Sequence, residues 1–498
     1  MRPTQQLGAK VAVCLLLVMA VSVPVWAGQA RDRSTASTSA STSVATAAVP
    51  TKDRAIGINV MLKGPATPEI LADLRRYGTV GSRIPQINAV MMVARASRVN
   101  LIRSRPYVAA ANPDAVREGK PLDTVTATNF SNGRNMWDHD AINITQAGTT
   151  ARQVSFDGTG VYVAVLDTGL LDSWRQYFPQ ERIATQYAKS YQGGGALSGG
   201  VISESTNKWE HDQSSHGTHV TSTILGFSLF GAPVNGVAPK ANVIPVKVLN
   251  QNGSGWSSVI AQGIVYVTQL KMGPLAGSPV VINMSLGGSA LDAVEKAAVD
   301  FAVANGVVLV ASAGNRGNNG MGFPGAYGPV ISVAAAGWIG EWLDGDGDGV
   351  IGNWWWKSDV LDPTVSGDFY ITDFSSRART GQDLDVAAPG SWVVGPFQTQ
   401  SGKASYFFLG GTSMSSPHVA GIVALMLQKN PSLDAGDVEG ILEAAAATIP
   451  MNSGCRNVTQ PGGSVEEFCW GPGNDPPTSL DADGAGFITA DAALTMTP

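Results

Sequence analysis

The segment VVINMSLGGSALDAVEKAAVDFAVANGVVLVASA, residues 280–313, has the pattern of a strand, a helix and a second strand. Its ends, VVINMSL (280–286) and GVVLVASA (306–313), are short apolar runs of the kind that forms strands buried on both faces. The stretch between them, 291–306, is helix-like and ends at a glycine, a common helix cap. Two such strands joined by a helix predict neighbouring parallel strands of one sheet.

The same alternation extends on both sides of this segment. Another helix-like stretch occupies residues 257–271. Further strand-like apolar runs lie at 161–167, 241–249, 329–336 and 383–388. We therefore predict an α/β fold with a doubly wound, mostly parallel sheet and helices on both of its faces.

The first 52 residues have the composition of targeting and spacer segments. Arg2 and Lys10 precede an apolar run over 11–21 that is too short to span a bilayer, so residues 1–27 are predicted to be a signal peptide. Residues 28–52 are rich in Ser, Thr and Ala and are predicted to be a flexible linker. No later stretch has 18 or more uninterrupted apolar residues. We therefore expect a secreted protein, extracellular or periplasmic, with no membrane segment once the signal is removed.

Residues 53–118 have a texture of their own. INVMLKG has a strand pattern, and ATPEILADLRRYG has a helix pattern that Gly78 is expected to end. INAVMMVA and YVAA add strand-like pieces. These features predict a small α+β domain in front of a main domain at 119–498.

Composition excludes some classes of function. The chain has Lys+Arg 33 against Asp+Glu 39 and a net charge of −6, so it is not expected to bind nucleic-acid phosphates. Of its three cysteines, Cys14 lies in the predicted signal peptide, which leaves Cys455 and Cys469. Two cysteines in an exported chain predict one disulfide, and a pair of free thiols is the alternative.

Three motifs carry candidate chemistry. Ligands of open parallel sheets bind at the carboxyl ends of the strands, and Asp167, in DTG, ends the run at 161–167. His216, in HGTHV, opens a helix-like stretch, and Ser413, in GGTSMSSP, follows the strand-like SYFFLG. A serine nucleophile needs a general base and a carboxylate that orients the base. We predict that Ser413, His216 and Asp167 supply these three roles.

These motifs resemble those of the subtilisin-like serine proteases, the subtilases of peptidase family S8, in which DTG, HGTH and GTSMxxP occur in this order. The resemblance runs from about Trp137 to Leu494. It implies a secreted serine endopeptidase that acts through an acyl-enzyme. It also implies that Asn315, in AGN, donates a hydrogen bond to the oxyanion together with the backbone N–H of Ser413.

The resemblance further implies how a peptide or protein substrate binds. The segments Gly253-Ser254-Gly255 and Ser285-Leu286-Gly287-Gly288 are similar to the two backbone segments that pair with an extended peptide. Gly322, in GFPG, resembles the base of the pocket for the side chain before the scissile bond. Arg316 at the rim is expected to disfavour Lys or Arg there, leaving apolar or uncharged side chains; the alternative is an exposed arginine that reaches solvent.

The unit at 53–118 is similar to the inhibitor-type propeptides of the same family. This similarity implies a self-processing precursor whose own propeptide blocks the active site. The mature chain is expected to begin between Asn112 and Met136 and to be a monomer.

An insertion at 337–370 carries a candidate calcium loop. Asp344, Asp346 and Asp348 stand at positions 1, 3 and 5 of an EF-hand-like loop, and Val350 would offer its carbonyl at position 7. Position 12 is a tryptophan, so Asp359 is a candidate to complete a structural calcium site, and an Asp/Gly-rich surface turn is the alternative. The insertion's tryptophans are expected to form a satellite core over the loop: Trp338, Trp342, Trp354, Trp355 and Trp356.

Other readings explain the sequence less well. The loop at 481–488 faintly resembles a second calcium loop, but its fifth position is Ala485, so a structural role is expected. His211, His216 and His219 could suggest zinc, but no HExxH helix accompanies them. An esterase of the α/β-hydrolase type would need a GxSxG elbow and another triad order. An inactive, peptide-binding relative is disfavoured because every catalytic position is intact.

Overall fold

The computed structural model describes residues 53–128, 136–343, 360–398, 403–471 and 480–498. The predicted signal peptide, the linker, and the candidate calcium ligands Asp344, Asp346, Asp348 and Val350 lie outside these residues. In the N-terminal part the elements are β1 (Ala55–Leu62), α1 (Pro68–Arg75), β2 (Gly78–Ile84), β3 (Ala89–Arg95), α2 (Val99–Arg103), β4 (Val108–Pro113), β5 (Val116–Glu118) and β6 (Asp123–Ala127).

The remaining elements form the main body, in the order α3 (Trp137–Ala141), β7 (Tyr162–Asp167), β8 (Lys189–Gly193), β9 (Ile202–Ser205), α4 (His216–Leu225), β10 (Phe227–Leu229), β11 (Ala232–Val234), β12 (Asn242–Lys247), β13 (Ser254–Trp256), α5 (Ser257–Met272), β14 (Val280–Met284), α6 (Ala293–Ala304), β15 (Val307–Ser312), β16 (Ile331–Trp338), β17 (Phe369–Ile371), β18 (Val386–Pro389), β19 (Val393–Pro396), β20 (Tyr406–Gly410), α7 (Thr412–Lys429), α8 (Ala435–Ala446), β21 (Gly454–Thr459), β22 (Val465–Trp470) and α9 (Ala490–Met496). No helix among the described residues is long and apolar enough to cross a membrane.

All six predicted apolar runs contribute strands to one sheet. Its order is β17-β16-β15-β14-β7-β12-β8-β9, and β18 also pairs with β16. The strands β18, β16, β15, β14, β7, β12 and β8 are parallel to their neighbours, whereas β17 and β9 are antiparallel. The predicted mostly parallel sheet is confirmed.

The central strand β7 shows why both faces are covered. Successive side chains of a strand point to opposite faces. Val163 and Val165 join the core formed with α4 and α7, whereas Ala164 and Leu166 join the core formed with α5 and α6. A sheet that buries both faces needs helices on both, which is the predicted α/β arrangement.

The N-terminal part combines an antiparallel four-stranded sheet with two helices, which fits the predicted α+β composition. Its strand order is β2-β3-β1-β4, and its own core includes Leu71 and Leu74 of α1. Met91 of β3 belongs instead to the core on the α5–α6 face, and Asn59 Nδ2 donates to Asp292 Oδ2 at 2.8 Å, just before α6. Gly78, expected to end the first helix, begins β2 instead, because the helix already ends at Arg75.

Two features of the C-terminal half bear on the sequence predictions. Cys455 and Cys469 form the predicted disulfide, which joins β21 to β22. The prediction of a satellite tryptophan core is wrong for Trp338 and Trp342, the two of its five tryptophans that lie in the described residues. Trp338 stacks on Trp137 and Trp342 packs edge-on against Trp392, so both extend the main core.

Candidate active site

The three predicted catalytic residues meet at the carboxyl edge of the sheet. Asp167 ends β7, His216 is the first residue of α4, and Ser413 is the second residue of α7. His216 Nδ1 lies 2.8 Å from Asp167 Oδ1 and 3.0 Å from Oδ2, and both side chains are fully buried. A carboxylate that accepts the Nδ1 proton leaves Nε2 as the basic nitrogen of the imidazole.

The Ser413 hydroxyl is not hydrogen-bonded to that nitrogen. Its Oγ donates to the Ser285 carbonyl at 3.3 Å. His216 Nε2 is buried without a hydrogen-bond partner in the described part of the chain. A rotation of the Ser413 side chain is therefore required before the base can accept its proton.

A proline in α7 leaves one carbonyl of its first turn free to bind the segment after β14. Pro417 has no N–H, so the carbonyl of Ser413 cannot receive the usual hydrogen bond from four residues ahead. Ser285 Oγ donates to that carbonyl at 2.8 Å and also lies 2.8 Å from Ser416 Oγ. Ser413 is thereby fixed to the segment that follows β14.

Asn315 lies beside Ser413, and its side-chain amide is anchored. Its Oδ1 accepts from Thr412 N at 2.9 Å and from Thr412 Oγ1 at 2.8 Å. Gly411 has φ +152°, and a Cβ there would lie 3.3 Å from Asn315 Nδ2, so the turn before α7 favours glycine. The anchored oxygen orients the amide so that Nδ2 remains available as a donor.

A second carboxylate lies close to the catalytic one and was missed in the sequence. Asp212 Oδ2 accepts from Thr168 Oγ1 at 2.8 Å, and the same Thr168 Oγ1 accepts from Gly217 N. Burial raises the pKa of Asp212 to about 7, and the nearby Lys247 partly opposes this shift. The available signal was an acidic residue four positions before His216, on the same loop.

An extended segment of the same chain runs through the predicted substrate-binding segments. β5 pairs antiparallel with β13, which contains Ser254 and Gly255. Glu118 N and O exchange hydrogen bonds with Gly287, both at 2.9 Å, and Gly119 N donates to Gly253 O at 2.9 Å. The two segments predicted to bind a peptide therefore hold residues 116–119 between them.

The segment continues past the nucleophile. Leu122 N donates to Gly410 O at 2.9 Å, and β6 then pairs with β20. A Cβ at Gly119 would lie 3.3 Å from His216 Cε1. Between the pairings of Gly119 and Leu122 stand Lys120 and Pro121.

A cavity of about 430 Å³ opens beside this segment. Its walls include Gly322, Gly288, Arg316, Asn315 and Ser413. Leu286 is buried in the core instead, on the α5–α6 side of the sheet.

Arg316 folds back onto its own loop at this cavity. Its Nη2 donates to the carbonyls of Gly320 at 3.3 Å and Met321 at 3.1 Å. The side chain of Lys120 is half exposed, and its Nζ pairs with Glu118 at 3.2 Å. The predicted bias against a basic side chain in this cavity stays a prediction, and Arg316 is positioned to exert it.

Two histidines outside the candidate triad, His219 and His418, have structural partners. His219 Nε2 lies 3.1 Å from the carbonyl of Val393, and burial lowers the pKa of His219 to about 3. His418 Nε2 lies 3.0 Å from Asp138 Oδ2. Within the described ranges, the side-chain groups that could share a metal ion do not include His211, His216 or His219.

Comparisons with known proteins identify the family of the chain. The family model of the subtilase family, Peptidase_S8, matches residues 158–471. The chain is 35% identical to subtilisin DY of Bacillus licheniformis over 298 residues, which are 59% of this chain and 86% of that protein. It is 34% identical to subtilisin E of Bacillus subtilis strain 168, again over 59% of this chain but 62% of that protein.

Solved structures share the fold. The crystal structure of fervidolysin from Fervidobacterium pennivorans matches with a TM-score of 0.59 at 23% identity, over 89% of this chain and 61% of that chain. The S41 psychrophilic protease matches with a TM-score of 0.51 at 26% identity, over 72% of this chain and 99% of that one.

Proposed function

Since this chain belongs to the subtilase family of serine endopeptidases, we propose that it is made as a secreted, self-processing precursor and hydrolyses peptide bonds through Asp167, His216 and Ser413. The observation that carries this proposal is the 2.8 Å contact of His216 Nδ1 with Asp167 at the carboxyl edge of the sheet, next to Ser413. Broad specificity is proposed because backbone pairing makes little demand on substrate sequence.

In the first half-reaction Ser413 Oγ turns from the Ser285 carbonyl towards His216 Nε2. Oγ attacks the substrate carbonyl carbon while its proton moves to Nε2, and Asp167 stabilises the imidazolium that forms. Asn315 Nδ2 and the backbone N–H of Ser413 donate to the oxyanion. The intermediate collapses when the amine leaves with the Nε2 proton, and the acyl group stays as an ester on Ser413.

A water molecule completes the reaction by the same route. His216 Nε2 takes a proton from this water, whose oxygen attacks the ester carbonyl. The oxyanion again accepts from Asn315 and the Ser413 N–H. Return of the proton to Ser413 Oγ releases the carboxylic acid and restores the enzyme.

We propose that residues 53–118 form the folded domain of a propeptide that ends at Lys120, so that the maturation bond is Lys120–Pro121. Lys120 then stands directly before the cut, and its ammonium is paired with Glu118 in the same segment, which offsets the bias expected from Arg316. The pairings of Glu118 with Gly287 and of Leu122 with Gly410 on either side of that bond support this choice. The bond falls within the predicted interval of 112–136. Residues 116–119 lie between the two backbone segments predicted to bind a peptide, so another substrate could not bind there at the same time. This supports inhibition by the propeptide.

Structural calcium is proposed from donor chemistry alone. Three carboxylates and a carbonyl, from Asp344, Asp346, Asp348 and Val350, are the hard oxygen ligands that calcium prefers. A calcium chelator should then lower the melting temperature of the mature enzyme, and an unchanged value would reject the site. The mature enzyme is proposed to be a monomer.

Labelling with a fluorophosphonate tests the catalytic assignment. Ser413 should be labelled stoichiometrically in the mature protein, and His216→Ala should abolish the labelling. Activity on a peptide without labelling of Ser413 would reject the mechanism.

Maturation is tested in a host that lacks other proteases. The Ser413→Ala precursor should keep its N-terminal unit, whereas the unaltered chain should lose it. Loss of the unit from the Ser413→Ala chain would mean that another protease carries out the processing.

A further inference from the structure

One residue of the segment that crosses the active site places a charge in the protein interior. Arg117 lies in β5, is fully buried, and is the fourth residue before the proposed scissile bond. Its Nε lies 2.9 Å from Glu295 Oε1, and its Nη2 lies 2.5 Å from Oε2. Nη2 also donates to the Ala290 carbonyl at 2.9 Å. Nη1 donates to the Val116 carbonyl at 3.1 Å, so the guanidinium is held by a carboxylate in a forked geometry and by two backbone oxygens.

The charge of Glu295 requires this partner. Glu295 is in the first turn of α6, and its side chain is 1% exposed. Within the described part of the chain, its carboxylate is paired with Arg117 alone. Asp292, which stays in the mature chain, lies near enough to add negative potential. Departure of Arg117 would leave an uncompensated carboxylate facing the vacated pocket, and such a pocket attracts a cation.

We infer that Glu295 makes the mature enzyme select arginine at the fourth residue before the scissile bond. The inference rests on the proposed function, because it takes the segment 116–119 as a stand-in for substrate. A substrate arginine at this position would donate to both oxygens of the Glu295 carboxylate and to the Ala290 carbonyl, as Arg117 does. Lysine offers a single ammonium without the planar fork and should bind less well, and leucine would leave Glu295 buried and unpaired.

The competing explanation is that the Arg117–Glu295 pair only attaches the propeptide to the precursor. In that case the pocket would close or fill with water after maturation, and it would not distinguish substrates. The two explanations differ in the behaviour of the mature enzyme alone, so the test is made on that form.

The test compares fluorogenic peptides that differ only at this fourth position and carry leucine directly before the cut. With the unaltered mature enzyme, kcat/KM should be about 100-fold higher for arginine than for leucine, with lysine between them, because one partner of a buried, hydrogen-bonded charge pair is at stake. Equal kcat/KM values for the three peptides would overturn the inference. Failure to cleave any peptide, together with no fluorophosphonate labelling, would instead reject the proposed function.

A paired substitution keeps the precursor able to fold. Glu295→Leu alone leaves Arg117 buried without a partner, so it is combined with Arg117→Leu, which removes both charges. The mature double variant should prefer the leucine peptide over the arginine peptide by about tenfold, because a guanidinium would be buried unpaired. A retained preference for arginine would overturn the role of Glu295. The exposed Glu181→Gln is the matched control and should keep the original order of the three peptides.

Discussion

The two halves of the segment that crosses the active site are held in different ways. Before the proposed bond, β5 is paired on both edges, with β13 and with Gly287, and Arg117 is neutralised by Glu295. After it, β6 pairs with β20 only, at the edge of a three-stranded sheet of the described residues. The chain before the bond is therefore paired on two edges, and the chain after it is paired on one edge.

Charge follows the same division. Asp123 of β6 lines a pocket with Asp373 and Glu466. Burial raises the pKa of Asp123, and the negative charges of Asp373 and Glu466 raise it further. Opposite charges thus meet on one side of the bond and like charges on the other. We expect the propeptide to stay bound as an inhibitor after cleavage, while the new N-terminus leaves the cleft.

The largest expected effect is on kcat and comes from Asn315, the proposed donor to the oxyanion at the bond between the two halves. Asn315→Ala should lower kcat by about 10²–10³, the magnitude known for loss of this donor in subtilisin. Steady-state kinetics on one peptide measure it. KM should change little, since both backbone-pairing segments remain, and a large rise in KM with unchanged kcat would show that Asn315 binds substrate instead.

A smaller effect is expected from the first residue after the bond. In Pro121 a ring carbon takes the place of the amide hydrogen and crowds the nitrogen that His216 must protonate. Pro121→Ala should therefore speed maturation by about tenfold, or about 1.4 kcal/mol in the barrier. The time course of propeptide loss measures this rate, with Leu122→Ala as control. An unchanged rate would place the limiting step, or the maturation bond, elsewhere.

The smallest effect concerns the mismatched charges. Because the pKa of Asp123 is raised in the folded state, that state binds more protons than the unfolded chain above pH about 3.9, and stability is lost as pH rises through this window. Asp123→Asn in the Ser413→Ala precursor should remove this loss. The gain at pH 7 should be below about 1 kcal/mol, because the group is half exposed to screening solvent.

Urea unfolding at pH 4 and pH 7 measures this gain, which should be present only at the higher pH. Glu118→Gln, on the other side of the bond, is the control, since its exposed pair with Lys120 should matter little at either pH. If both substitutions stabilise the precursor equally, the claim that like charges destabilise only the half after the bond is wrong.

The sequence was informative where structure is local. Apolar runs such as 161–167 form buried strands because their neighbours in the chain are apolar too, and motifs around Asp167, His216 and Ser413 carry their own turns and helix starts. Each motif could therefore be assigned to a strand end or helix start before the sheet was known.

Contacts between distant parts of the chain could not be predicted in this way. The pairing of Arg117 with Glu295 joins residues 178 positions apart, and neither residue stands out in its own segment. Trp338 and Trp342 were assigned to a satellite because their segment is rich in aromatic residues. Their partners, including Trp137, come from other parts of the chain and extend the main core.

Pro417 has a mechanical consequence beyond the loss of one helical hydrogen bond. Ser285 Oγ donates to the Ser413 carbonyl that the proline leaves without a helical partner. This hydrogen bond connects the segment after β14 directly to α7. One buried hydroxyl therefore links the segment that holds residues 116–119 to the backbone of Ser413. We therefore expect changes in the surface loops around the cleft to leave this link intact.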